Sequence, residues 1–532
     1  MPDHHSSSAR RGCARADALQ AVRKSTLGVC GATILLALHG AAATAQTEVG
    51  NQGTGAPPGT PINLSDPVSV TINETNPATT TIAIQIPDGF LVNSPFLFIN
   101  SGSNQANWSG LSVEGPNASA TVGGPGPGGT VTAAHSPTGG GGATFNAANG
   151  GVLTVSNSTV SSPVNAGGAS FYTFCSINCD VTQIHFGPNN VAIIRGIGWG
   201  VLAGPGAVQA LGGVEIVPVF VGEAGARLVG ATVGTLNVAP GTLLTNSINS
   251  ADVSGVYAAF GGVTNLGAGS SVNLGGASGL RGVVADGAPG GAPSTVNADG
   301  LAVRLDGPSP VAGLARQGGP GKLTNGGRLS ATGANAVAGQ STGVGEAPAA
   351  VPSLLKSSGT SFSASGDGAI ALSMVDGGQI EISGGSATAQ GAGSTGLHSA
   401  NATDAANTAT LANVTIASPD GASITVRGGP AAINLSNSVL TSNAGAWLDV
   451  AASAASGRAS DLNLTATGTQ ISGAATTAAG NTANVTLAQG TVWTITGDSN
   501  LSALTSNASL IQFAAPSAAV PRPRPSSRVL SS

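Results

Sequence analysis

Apolar residues along this chain come in short alternating runs rather than in helical stripes. Val68, Val70 and Ile72 point to one side of an extended segment, and Ile82, Ile84 and Ile86 repeat the pattern. Period-two spacing of β-branched residues marks a half-buried strand. Between the runs stand Gly, Asn, Asp and Pro, the residues that turns require. Gly123–Gly129 (GGPGPGG) and Gly139–Gly142 interrupt the alternation and read as surface loops. No helix caps, heptads or leucine-rich consensus accompany the pattern, so it predicts an all-β architecture.

The runs also recur. Asn413-Val414-Thr415, Asn434-Leu435-Ser436, Asn463-Leu464-Thr465 and Asn484-Val485-Thr486 follow one another at spacings of 21, 29 and 21 residues. A looser series, Val272-Asn273, Val296-Asn297 and Leu323-Thr324-Asn325, has intervals of 24 and 27. Such periods point to a solenoid, and uneven spacing suits a parallel β-helix whose turns vary in length. Coils would stack at about 4.8 Å, with Val, Leu and Ile inward and Ser, Thr and Asn in water. At roughly 24 residues per coil, about twenty coils would make a rod near 100 Å long if fully regular. The Asn units also match the N-glycosylation acceptor pattern, but a stacked strand accounts for both their residue types and their recurrence.

Composition sharpens this picture. Gly supplies 82 of 532 residues, and only 8% are charged, against roughly 25% in an ordinary soluble domain. Aromatics are 3%, and Phe362 is the only one between Gly261 and Ala446. A core this thin suits a narrow solenoid in which each coil touches only its neighbours. Disordered chains are rich in charge and poor in β-branched residues, the reverse of this one. The net charge is −5, and the interior lacks the clustered Lys and Arg that nucleic-acid binding needs.

The N-terminus reads as an export signal, residues 1–45. Arg10, Arg11, Arg15, Arg23 and Lys24 precede the apolar run Leu27–Leu38, and Ala43-Thr44-Ala45 offers small residues for cleavage between Ala45 and Gln46. The run is shorter than the ~20 residues a spanning helix needs. Residues 46–60 then read as a flexible leader, 61–220 as a β-rich region, 221–513 as the β-helix proper, and 514–532 as a disordered tail. The tail holds four prolines with Arg522, Arg524 and Arg528. Cys13 and Cys30 leave with the signal. Cys175 and Cys179 remain, and in an oxidising compartment they are candidates for a local disulfide. Zinc would require three or four ligands, with only His185 nearby, and C-x-x-C is the redox spacing. Phe171, Tyr172, Phe174, Phe186 and Trp199 surround this loop, either as an adhesive surface or as a local thickening of the core.

Catalytic readings are weak. Gly497-Asp498-Ser499 is like the nucleophile segment of trypsin-like proteases, but His398 is the only histidine within a hundred residues upstream, and a triad is defined by geometry. Asp286, Asp299 and Asp306, or Asp367, Asp376 and Glu381, could supply paired carboxylates, which glycoside cleavage holds about 5 to 9.5 Å apart. Five of these six precede glycine, and Asp-Gly is a preferred turn pair. No phosphate-loop motif occurs. The expectation is a chain with no enzymatic activity, cofactor or metal. The alternative is a carbohydrate-active β-helix enzyme, a lyase or hydrolase, recognised by carboxylates clustered across adjacent coils.

The most specific segment is Leu487–Phe513, LAQGTVWTITGDSNLSALTSNASLIQF. Its residues Trp493, Gly497, Asp498, Ser499 and Leu504 resemble the Trp-x-x-x-Gly-Asp-Ser-x-x-x-x-Leu segment that closes pertactin-like autotransporter passengers. That resemblance implies a right-handed parallel β-helix whose last coils act as an autochaperone. It also implies an exported adhesin or virulence-associated surface factor, with a host-cell or matrix receptor as partner. A translocating barrel would follow in that family. Nineteen residues follow here, so the expectation is a passenger truncated before its own membrane-spanning barrel. It would be exported through the inner membrane to the periplasm and reach the surface only if a translocator is supplied. A nonfunctional remnant is the other reading of such a truncation.

Overall fold

The computed structural model describes residues 225–514 almost continuously, apart from 247–250, 288–291, 325 and 344–351. Ahead of these it describes strands between 34 and 218 with a few of their connections. All described regular structure is strand, and the architecture is an all-β parallel solenoid.

Three strands make one coil. On the first face, Arg227–Thr232 pairs in parallel with Ser254–Ala259, which pairs with Arg281–Asp286, then Val311–Arg316, Val337–Thr342, Ile370–Val375, Thr395–Ala400 and Ala422–Arg427. The second face is a twelve-stranded sheet running from Val208–Leu211 to Ala503–Asn507. The third runs from Leu243–Thr245 to Leu510–Phe513. First and third faces join where one long strand, Val439–Ala451, passes through both, so the solenoid stays open at its ends and is not a barrel. Stacked partners are 34 residues apart at Ser112 and Asn146 but 18 apart at Thr494 and Gln512. Corners rather than strands absorb that variation, so no single coil length applies.

The pairing crosses residue 220 without interruption: Trp199 stacks on Arg227, and Val208 on Thr235. Further toward the N-terminus, Ile34–Leu38 and Ala45–Val49 pair antiparallel, and Ala37 lies opposite Ser69. Ala45 and Gln46 fall at the start of that second strand. Val68–Ile72 and Thr80–Ile86 are strands, as their alternation predicts.

The second face alternates as expected. Its inward ladders, such as Ile382, Leu411, Leu435, Ala466 and Leu487, are buried through successive coils. Each fully buried leucine adds about 1.5–3 kcal/mol over leaving it in water. Strict alternation fails on the first face, where strands carry four consecutive buried residues. Two adjacent residues turn inward there, and the first of each pair is small. A Cβ on Gly255 or Gly282 would come within 2.4 Å of a Val272 or Val303 methyl, closer than packed atoms allow. The glycines and alanines of this column let the first and third faces meet tightly at their corner.

Asparagine ladders run up the outside. Asn265 donates to Asn237 at 2.8 Å and Asn297 donates to Asn265 at 2.8 Å. Asn484 donates to Asn463 at 3.1 Å. The other predicted repeat units do not share this register. Asn434 stacks on Thr465 rather than Asn463, and Asn413 occupies a left-handed corner with φ of 56°.

Candidate binding face

The outward side of the first face carries a second buried apolar cluster, which includes Trp199, Leu202, Tyr257, Val284 and Leu314. The register places Tyr172, Leu202, Gly230, Tyr257, Val284, Leu314, Gln340, Ser373, His398, Thr425 and Asp449 in one column. Its lower half is apolar and aromatic, and its upper half is polar.

Trp199 and Tyr257 pack edge to face in the lower half, with centroids 5.6 Å apart. Gly230 lies between them in the stack, and a Cβ there would come within 2.5 Å of the Trp199 ring. The Arg227 guanidinium lies 5.0 Å from the Trp199 centroid and 4.7 Å from that of Tyr257, within cation–π range of both. The Tyr257 hydroxyl donates to Asp286. Arg316 bridges the pair, 2.7 Å from the Asp286 carboxylate and 3.1 Å from the Tyr257 oxygen. Burial, then the bond to Asp286, pushes the Tyr257 hydroxyl pKa up. Burial raises Tyr172 to about 12. One carboxylate neutralised by one guanidinium holds a fixed polar pattern and supplies no acid–base pair.

In the upper half, His398 Nδ1 lies 2.6 Å from Thr425 Oγ1. Burial and the nearby Arg427 charge push His398 down to about 4. Arg427 pairs with Asp449 and donates to the Asp449 carbonyl at 2.9 Å.

The corner beyond this face carries two exposed apolar side chains. Val233 (φ 61°, 54% exposed) and Phe260 (φ 52°, 66% exposed) occupy equivalent left-handed positions on adjacent coils. The same corner takes Gln317 and Asp376 farther along. Left-handed backbone costs a non-glycine residue on the order of 1–3 kcal/mol, and a β-branched one is the least suited to it.

The predicted sites fall as follows. Trp493 is buried in the core, donates its indole N–H to the Gly473 carbonyl at 3.0 Å, and packs edge to face on Trp447 with centroids 5.9 Å apart. Gly497, Asp498 and Ser499 form an exposed turn. Its Ser499 hydroxyl accepts from Ala475 N at 3.1 Å, while Asn500 accepts from Thr477 N at 3.0 Å and donates to Thr477 O at 2.7 Å. This turn covers the edge of the first-face half of Gln470–Thr477, residues 474–477, whose other half continues the third face. Leu504 lies in the final second-face strand and is 43% exposed.

Cys175 and Cys179 lie outside the described residues, as does the tail from 515 onward. The aromatics around the cysteines belong to strands rather than to a loop: Ala169–Phe174, Gln183–Phe186 and Trp199–Ala203. Asp286, Asp299 and Asp306 end strands on the first, second and third faces in turn, so the coil separates them. Asp367 and Asp376 sit at different corners, Asp376 accepting from Ala402 N at 2.7 Å, and Glu381 pairs with Lys356. Among the described residues no three His, Cys, Asp or Glu side chains gather as a metal site, and no helix is long and apolar enough to cross a membrane.

No family model matches the chain, and neither does any curated protein. A chain of the cryo-EM structure of the Vag8–C1 inhibitor complex is similar, with a TM-score of 0.43 and 15% identity. The match spans 82% of this chain and 100% of that one. The solenoid assignment rests on the strand registers, which stand without that likeness.

Proposed function

We propose that this chain is the passenger-type solenoid of an exported autotransporter, and that it binds a host-cell or matrix protein at the exposed corner beyond its first face without catalysing a reaction. The observation that carries the reading is the corner pair Val233 and Phe260, exposed and in left-handed backbone beside the Trp199–Arg227–Tyr257 stack. Aromatic and arginine side chains are the usual anchors of protein interfaces. Apolar residues left exposed in a conformation that favours Gly or Asn cost stability without burying most of their surface. The passenger assignment draws support from the parallel coils and from Trp493 lying in the last of them. A carbohydrate-cleaving reading needs carboxylates brought together, and the coil sends the candidates to separate faces.

The test has two arms. External protease added to intact source cells should digest the chain if it is displayed at the surface. Binding of labelled chain to host cells and matrix-coated surfaces should fall at least about tenfold with Phe260→Asn, a loss in the range of a single interface anchor. A chain that stays protected inside the cell, or binding that Phe260→Asn leaves unchanged, would refute the corresponding half of the proposal.

A further inference from the structure

The three faces do not end alike at the C-terminal end of the stack. The first face is closed by the Gly497–Asn500 turn, whose Ser499 and Asn500 side chains take up the Ala475 and Thr477 edge groups. Among the described residues, nothing covers the ends of the second and third faces in this way. Ala503–Asn507 pairs with Thr482–Ala488, and Leu510–Phe513 pairs with Val492–Ile495, with no further register partner among the described residues.

Bonding groups alternate along such a strand. Leu510 N reaches back to Thr491 O at 2.8 Å, and Ala514 N to Ile495 O at 2.9 Å. The amides and carbonyls of Ile511 and Phe513 therefore face away from the stack. Side chains at this end are uncovered too: Leu510 is 52% exposed and Phe513 80% exposed.

Sheet edges are ordinarily guarded by charge, proline or a covering segment. Here no charged residue occurs between Asp498 and Arg522. The sequence after Phe513 includes Pro516, Pro521, Pro523 and Pro525, residues without the N–H donor that a ladder uses.

We infer that this end docks a second copy of the chain, tail to tail, through antiparallel pairing of the two Leu510–Phe513 strands. The segment is self-complementary in the way a two-fold interface requires. Ile511 of each copy exchanges both main-chain bonds with Phe513 of the other, and Gln512 lies opposite its own symmetry mate. Absence of charge means that apposing identical ends brings no like-charge repulsion. A contact this narrow falls below the ~1,200 Å² of standard interfaces, so the dimer forms in proportion to concentration. The inference is independent of the receptor reading.

Sedimentation velocity of the full chain across a concentration series should show the mass doubling. Phe513→Pro removes the free-edge donor in each copy while keeping every bond to Val492–Ile495, because proline is tolerated where the N–H faces solvent. It should weaken the dimer at least about tenfold, the loss expected when two main-chain bonds go, with unchanged circular dichroism. In the proposed register the two Gln512 Cα atoms stand about 4.5 Å apart, within disulfide range. Gln512→Cys should therefore oxidise to a covalent dimer, whereas wild type and Ser506→Cys should not. A monomer at every concentration, or a dimer indifferent to Phe513→Pro, would overturn the inference. Should Phe513→Pro disturb the fold, Gln512→Cys decides alone: no cross-link, no tail-to-tail pair.

Discussion

Two aromatic pairs sit in this solenoid in nearly the same geometry, one within the coil and one buried on the outward side of its first face. Trp447 and Trp493 meet at 5.9 Å and 76°, Trp199 and Tyr257 at 5.6 Å and 85°. The inner pair fills the corner where first and third faces merge, and an adjacent backbone carbonyl serves Trp493. The outer pair gathers Arg227, Asp286 and Arg316 around it. An edge-to-face contact is worth about 0.5–1.5 kcal/mol in either place. Rings on either side of a strand serve cohesion here, because Trp199 and Tyr257 are buried on the outward side as Trp447 and Trp493 are within the coil.

The comparison breaks most visibly at Trp493. Trp493→Ala should cost about 3–5 kcal/mol in denaturant-induced unfolding, and Trp199→Ala, which empties a second buried cluster, should cost a similar amount. A much smaller loss at Trp199 would mean that the outward cluster adds little to cohesion. Next in size is Gly230→Ala. Its Cβ would lie 2.0 Å from the Tyr257 carbonyl oxygen and 2.5 Å from the Trp199 ring, so a loss of about 1–3 kcal/mol is expected from overpacking. Tryptophan emission from the outer pair should shift with it, and an unmoved spectrum would show that the pair does not depend on that gap.

Acid should act on the outer column selectively. His398 is held at about 4, below its ordinary 6.5, so the unfolded chain takes up the proton first. That contribution is complete above pH 6.5 and is lost as pH falls toward 4, on the order of 3 kcal/mol in all. His398→Gln should flatten this part of the unfolding profile, and an identical slope in the variant would assign the loss elsewhere. The smallest contrast lies within the inner pair. The Trp447 indole N–H is buried without a partner, whereas that of Trp493 is bonded. Trp493→Phe should therefore cost about 1 kcal/mol more than Trp447→Phe, measured as a difference in unfolding midpoints.

Much of the architecture was legible because period-two runs and turn residues are local signals. Val68–Ile72, Thr80–Ile86 and the second-face strands follow from them directly. Register was harder to read. Asn463 and Asn484 share a ladder as their spacing suggests, but Asn273 and Asn297 lie on different faces. The unbroken ladder Asn237, Asn265 and Asn297 carried a signal, each Asn followed by an apolar residue, that corners of unequal length disguised. The four-residue buried runs of the first face escaped for another reason. Paired inward residues depend on small neighbours such as Gly255 and Gly282, which sequence alone reads as turns or loops. The outer cluster was least visible of all. Arg227, Tyr257, Asp286 and Arg316 are each separated by a coil, and only stacking assembles them.

Because each coil bonds its neighbour along the long axis, tension applied to the two ends would meet the hydrogen bonds one coil at a time. The structure should open like a zipper under force, not yield as a block. A coil of 27 residues, the interval between His398 and Thr425, would release about 90 Å of contour as it peels away. The 18-residue interval at the far end, between Thr494 and Gln512, would release only about 60 Å. The spacing of steps in a pulling trace would thus report which end had begun to unwind.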